Sequence, residues 1–193
     1  FSLEELEEQF TIEGISKSPA IFDIKKLIWL NGEYIRILPL EDFNRLAMLY
    51  YKGAIKNENI DFMKLSKVLQ LRTEVLSSIP ENVDFIDNLP EYETSLYVHK
   101  KMKTDENVSL ASLKTALQVL EELQTWDETV IHDALISLAG EMGIKNSQLL
   151  WPVRVALTGK EVSPGGAIEM ASILGKSETI RRIKIGIEKL TRY

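Results

Sequence analysis

With 193 residues and a 45% apolar content, the chain has material for one sizeable core or two small ones, since domains run about 100 to 200 residues. It has no cysteine, which excludes disulfides, thiolate metal sites and a cysteine nucleophile. The net charge of -6 speaks against a uniformly basic nucleic-acid binder, yet it is unevenly placed: residues 151–193 carry 8 basic and 4 acidic side chains, residues 1–150 carry 15 and 25.

In chain order, nearly every segment shows apolar residues recurring at three and four, the period of a helix. Ser2 with Glu5 forms a capping-box pattern that opens a short acidic helix, and Asp23 is placed to cap a second helix carrying Leu27, Ile28, Leu30 and Tyr34. Asn31-Gly32 is a hairpin-like pair, but without alternating flanks it predicts a helix irregularity. Asp61 starts a helix through Met63, Leu65, Val68, Leu69 and Leu76 that Pro80 should halt. The segment from Pro80 to Asn107, with two prolines, many carboxylates and the cluster Lys100, Lys101, Lys103, is the best linker candidate.

Beyond it, capping signals are dense. Ser109 opens one helix, Thr125 with Glu128 opens the next, and Gly143 closes it. Asn146 begins a helix with Pro152 in its first turns and Gly159 at its end; Ser163 as cap and Pro164 as first residue open another that stops at Gly175, and Ser177 begins the last. The predicted fold class is all-α: a short N-terminal segment followed by two helical groups.

Several strings resemble catalytic motifs and do not qualify. Lys64-Leu65-Ser66-Lys67 lies within a helical apolar stripe, and Gly175-Lys176-Ser177 lacks the glycine five residues earlier that a phosphate-binding loop requires, because Met170 stands there. The two imidazoles, His99 and His132, are too isolated for a zinc site. His132 reads as a surface or half-buried histidine.

WPVRVALTGK (Trp151 to Lys160) followed by Ser163-Pro164-Gly165, SKSPAIFD (Ser16 to Asp23) and KLIWLNGEYIR (Lys26 to Arg36) together resemble the C-terminal, stem-contact and anticodon-binding region of bacterial glutamyl-tRNA synthetases. The resemblance extends over essentially the whole chain. It implies a stem-contact segment at 1–38 and two helical anticodon-binding subdomains at 39–107 and 108–193. It implies tRNA-Glu as partner, with tRNA-Gln as an optional second one, and the chain's own catalytic domain as an intramolecular partner. ATP and magnesium would serve the catalytic half, with no cofactor in this portion, which should be inactive alone. A monomer in the cytoplasm is expected: no apolar run approaches the ~18 residues of a membrane span, and the opening FSLEELEEQF is acidic where a signal peptide is basic.

Splayed bases are read by flat groups that stack and by donors that reach base edges, and arginine does both. The resemblance puts anticodon contacts at Arg154, Ser163 and Pro164, and at Arg72, which matches the family arginine facing the third anticodon base. Trp151 either stacks on a base or packs behind Arg154, packing being the commoner fate of an indole. Lys17, Lys25, Lys26 and Arg36 are the candidate contacts to the tRNA stem, while Trp29, Leu30 and Tyr34 are suited to pack against the catalytic domain or the first helical group. The competing reading is a stand-alone helical protein-interaction module. The basic last quarter fits RNA contact through one face, and equally an ordinary cationic final helix.

Overall fold

The computed structural model describes residues 2–15 and 21–192. Among these residues there are ten α-helices and no strand, with an isolated antiparallel bridge between His99 and Thr104. The all-α expectation holds.

Helix α1 (Leu3–Gln9) is opened by the expected capping box: Glu5 N–H donates to Ser2 Oγ at 3.2 Å and Ser2 N–H to Glu5 Oε2 at 2.7 Å. It buries no residue. Helix α2 (Ile24–Ile37) starts at Asp23, whose carboxylate accepts from the Lys25 and Lys26 N–H groups. The predicted irregularity at Asn31-Gly32 is absent, and α2 runs through it. Gly32 is there for close approach, since a Cβ would come within 3.2 Å of Glu74 Cγ, while Asn31 Nδ2 donates to the Glu74 carbonyl at 2.5 Å.

Helices α3 (Leu40–Ala54), α4 (Phe62–Leu69) and α5 (Ile79–Val83) follow. Asp61 caps α4 as expected, but the helix ends at Leu69, well short of Leu76. The chain tightens instead into a 3-10 turn at Gln70–Arg72. The Gln70 amide donates to the carbonyls of Ile35 and Leu38 at the end of α2, where carbonyls run out of i+4 helical donors. That tertiary bond overrides the local helical period. Pro80 halts nothing; it lies in the first turn of α5, where its missing N–H has no role.

The expected linker between Pro80 and Asn107 is core. Val83, Phe85, Ile86, Tyr92 and Tyr97 are all buried there. Its prolines and carboxylates dominate the composition, while aromatic residues at irregular spacing turn inward, a pattern that no single period detects.

The remaining helices are α6 (Glu106–Glu122), α7 (Glu128–Glu141), α8 (Asn146–Thr158), α9 (Ala167–Leu174) and α10 (Lys176–Thr191). Two predicted caps are displaced. Asp105 caps α6 through the Val108 N–H at 2.8 Å, and Asp127 caps α7 through the Val130 N–H at 2.9 Å. Ser109 lies buried inside α6, donating to the Tyr97 carbonyl. Gly143 follows the end of α7 and Gly159 caps α8, both with positive φ near 64°, a conformation glycine adopts without penalty. Helix α10 packs on α6 and α8, and α8 on α9; α3 packs on α4 and α5, and α4 also meets α9. One apolar cluster runs from Ile35 to Leu190 through all of these helices.

Candidate nucleic-acid interface

Helix α8 builds the centre of the site. Three-residue spacing puts Trp151 and Arg154 on one face, with the Arg154 guanidinium carbon 4.4 Å from the centroid of the indole. This is cation–π distance. The indole is itself held: its Nε1 donates to the Leu96 carbonyl at 2.9 Å and its ring lies 4.1 Å from that of His99. Trp151 is therefore half-buried packing behind the arginine.

The other face of the Arg154 fork reaches across to the turn after α8. Nη1 donates to Ser163 Oγ at 2.9 Å and Nη2 to the Glu161 carbonyl at 2.7 Å. Arg72 arrives from the opposite direction, on the 3-10 turn that ends α4, and its Nη1 donates to the Ser163 carbonyl at 2.8 Å. Two guanidinium groups from distant parts of the chain thus converge on one buried serine. Burial pushes the Arg154 pKa down, and the neighbouring charge of Arg72 adds to the effect, with Glu161 opposing. Positive charge held against repulsion in this way favours an incoming anion or a polar base edge.

Ser163 and Pro164 do not open a helix. Helix α9 begins at Ala167 with Gly166 as its cap, so the predicted start is three residues early. The reason is the Ser163 hydroxyl, which donates to the Gly165 carbonyl at 2.7 Å and closes a tight turn. Gly165 lets the turn sit close to α9, since a Cβ would lie 2.7 Å from Met170 Cε and displace that side chain. Pro164 and Gly165 line a cleft of about 250 Å³ together with Lys67, Leu71 and Arg72 and the carboxylates Glu128 and Glu169. Leu71, 66% exposed, was not singled out from the sequence. A leucine beside an arginine and off the apolar period of Leu65, Val68 and Leu69 was the available signal.

Pro152 lies in the second turn of α8 and removes the N–H that would have bonded the Gln148 carbonyl. The buried hydroxyl of Ser112, on α6, donates to that carbonyl at 3.3 Å. The proline is tolerated because a neighbouring helix supplies the missing donor.

The predicted stem residues lie apart on α2. Lys25 and Lys26 occupy its first turn, exposed. Arg36 is paired with Glu33 at 2.5 Å. Lys17 lies outside the described residues. Trp29 and Tyr34 are about half exposed and Leu30 nearly as much, leaving an apolar face on this helix.

The basic last quarter is not a free cationic face. Arg182 is fully buried, donating to the Leu157 and Ile86 carbonyls and to Glu178. Lys160 pairs with Asp84 at 2.5 Å, Lys184 with Glu121 at 2.8 Å, and Lys189 with Glu91. Most of this charge is used inside the fold. The catalytic look-alike around Ser66 is likewise structural, its hydroxyl bonded to Tyr51 and Asn44 in the core. His132 is exposed beside Asp133. No described helix is long and apolar enough to cross a membrane.

Comparison with known proteins bears on this geometry. The chain is 56% identical over 190 residues to a glutamate–tRNA ligase of Clostridium tetani, covering 98% of this chain and 39% of that protein. It is 50% identical over 191 residues to one of Clostridium acetobutylicum, covering 99% and 39%. It thus spans about two fifths of the length of these relatives. A glutamate tRNA ligase structure from Elizabethkingia meningosepticum, in complex with its amino acid, superposes with a TM-score of 0.78 at 21% identity, over 97% of this chain and 36% of that one. A glutamate-tRNA synthetase from Elizabethkingia anophelis gives 0.78 at 19% identity, over 96% and 36%. The model of a family described as an anticodon binding domain matches residues 39–187. The chain belongs to that anticodon-binding family.

Proposed function

We propose that this chain is the non-catalytic C-terminal region of a glutamate–tRNA ligase and that it reads the anticodon through Arg72, Arg154 and the Ser163-Pro164 turn. The observation that carries the reading is the convergence of the two guanidinium groups on Ser163. Planar cations preorganised on a packed indole are suited to stack on unpaired bases and to fork onto base edges or phosphates. Trp151 acts by positioning Arg154. Leu71 offers apolar surface beside Arg72.

In the intact protein, ATP with magnesium activates glutamate and the acyl group passes to the terminal ribose of tRNA-Glu, and charging of tRNA-Gln as well is the alternative that the titration below separates. This region contributes by holding the anticodon loop so that the acceptor end is oriented in a distant active site, converting binding energy into specificity and rate. Residues 1–38 form the stem-contact segment, with Lys17, Lys25, Lys26 and Arg36 toward the tRNA backbone and the exposed apolar face of α2 toward the catalytic domain. The break between α2 and α3 at Leu38-Pro39 supports that boundary, and 39–107 and 108–193 form the two anticodon-binding subdomains. The protein works as a cytoplasmic monomer.

The test is titration of wild type, Arg72→Ala and Arg154→Ala with tRNA-Glu, tRNA-Gln and an unrelated tRNA at two salt concentrations. Each substitution should weaken tRNA-Glu binding by about tenfold or more, the 1–3 kcal/mol of a good base contact, with the helical circular dichroism unchanged. Equal binding by all three proteins would refute the site and favour a helical module that binds other proteins.

A further inference from the structure

Beside the indole of Trp151 the chain makes a tight turn that the anticodon reading does not use. His99 and Thr104 exchange backbone hydrogen bonds at 3.0 and 3.2 Å, and the Met102 N–H donates to His99 Nδ1. Lys103 takes a φ of 56°, a left-handed conformation that side-chain-bearing residues adopt rarely and keep only where the surroundings enforce it. The enforcing contact is visible: Gln148 Nε2, on α8, donates to the Lys103 carbonyl at 3.1 Å, while its Oε1 accepts from the Lys145 N–H at 3.1 Å. One side chain therefore draws Lys145 to the turn that carries Lys100, Lys101 and Lys103.

All four lysines are exposed, and none makes an ion pair among the described residues. The nearest carboxylates in sequence are otherwise engaged, Asp105 in capping α6 and Glu106 in accepting from Thr94. The contrast with the last quarter of the chain is sharp, since there the cations are bonded to carbonyls or carboxylates. The turn is also physically continuous with the arginine site, through the ring contact of His99 with Trp151 and of Trp151 with Arg154.

We propose that Lys100, Lys101, Lys103 and Lys145 form a phosphate-contact patch that tracks the backbone of the same RNA whose bases meet Arg154. The inference rests on the anticodon reading for the identity of the RNA. Phosphate contacts position without carrying sequence information, so the patch sets affinity and register while the arginine pair sets base preference. Ammonium groups on a pinned turn are suited to such contacts, because each neutralises one phosphate and releases counterions.

The experiment titrates the protein with two anticodon stem-loop RNAs, one bearing the glutamate anticodon and one with its anticodon bases replaced, across a salt series. Replacing all four lysines with glutamine should make the slope of log K against log salt shallower by about 2 to 3 and weaken both RNAs by the same factor. A variant with four arginines should keep the wild-type slope. Arg154→Ala should instead shrink the preference between the two RNAs. An unchanged slope in the glutamine variant overturns the patch and leaves the anticodon reading standing. A lost slope with no preference between RNAs in the wild type keeps the patch and overturns the reading. A wild type that binds neither RNA overturns both.

Discussion

Arg154 is shaped by three neighbours at once: the indole of Trp151, the hydroxyl of Ser163 and the carbonyl of Glu161. Such an arrangement needs a planar fork, which lysine does not have. Arg154→Lys should therefore lose tRNA-Glu affinity nearly as fully as Arg154→Ala despite keeping the charge, and should lower stability by about 1 kcal/mol for the abandoned hydrogen bonds. Comparing tRNA titration with urea unfolding of both variants checks this; a lysine variant that binds like wild type would show that charge alone is read. The arginine was legible in the sequence because of the unusual string around it. The bonds that join it and Arg72 to Ser163 were not, because the turn that carries Ser163 closes through the Gly165 carbonyl and the 3-10 turn that carries Arg72 is set by Gln70 reaching α2.

At the scale of single elements, α8 shows how a helix carries a defect. Pro152 orphans the Gln148 carbonyl and Ser112 on α6 answers it. Ser112→Ala should cost about 1–2 kcal/mol, the desolvation of an unpaired buried carbonyl. Pro152→Ala restores an N–H to that carbonyl, so the Ser112→Ala penalty should shrink in its presence. A double-mutant cycle by chemical denaturation measures the coupling, and additive effects would mean that the hydroxyl does not serve this carbonyl. Helix existence followed from periodicity almost everywhere, and glycine stops at Gly143, Gly159 and Gly175 were readable because a positive φ selects glycine. Helix starts were less readable at Ser109, Thr125 and Ser163, where a better-placed aspartate or a local turn won the competition for the free N–H groups.

Across the whole molecule, Arg182 joins parts that sequence separates. Buried in α10, it donates to the end of α8 at Leu157, to Ile86 in the segment expected as linker, and to Glu178. Arg182→Ala would leave two buried carbonyls without this donor, at about 1–3 kcal/mol each, while Glu178 would keep its bonds from Arg181. Thermal unfolding should show it as a large fall in Tm. Glu178 reports the same linkage through pH: burial raises its pKa, but Arg181 and Arg182 together outweigh this and leave it below the ordinary carboxylate value. A depressed folded-state pKa gives stability that is present above the unfolded value and lost as pH falls through the folded one. Glu178→Gln should thus be less stable than wild type at neutral pH, with the gap closing at acid pH, and a constant gap across that range would deny the linkage.

The sequence by itself determined the all-α class, the positions of most helices, the absence of thiol chemistry, and the resemblance that named Arg72, Arg154, Ser163 and Pro164. These rest on local patterns, in which period, capping residues and glycine stops act within a few positions of one another. Only the tertiary structure decided that the segment from Pro80 to Asn107 is core, that most of the charge of the last quarter is spent inside the fold, that Trp151 packs behind Arg154, and that the two arginines meet. Each of those outcomes depends on which distant carbonyl, carboxylate or ring a side chain reaches, and that is set by helix packing, which no local period records.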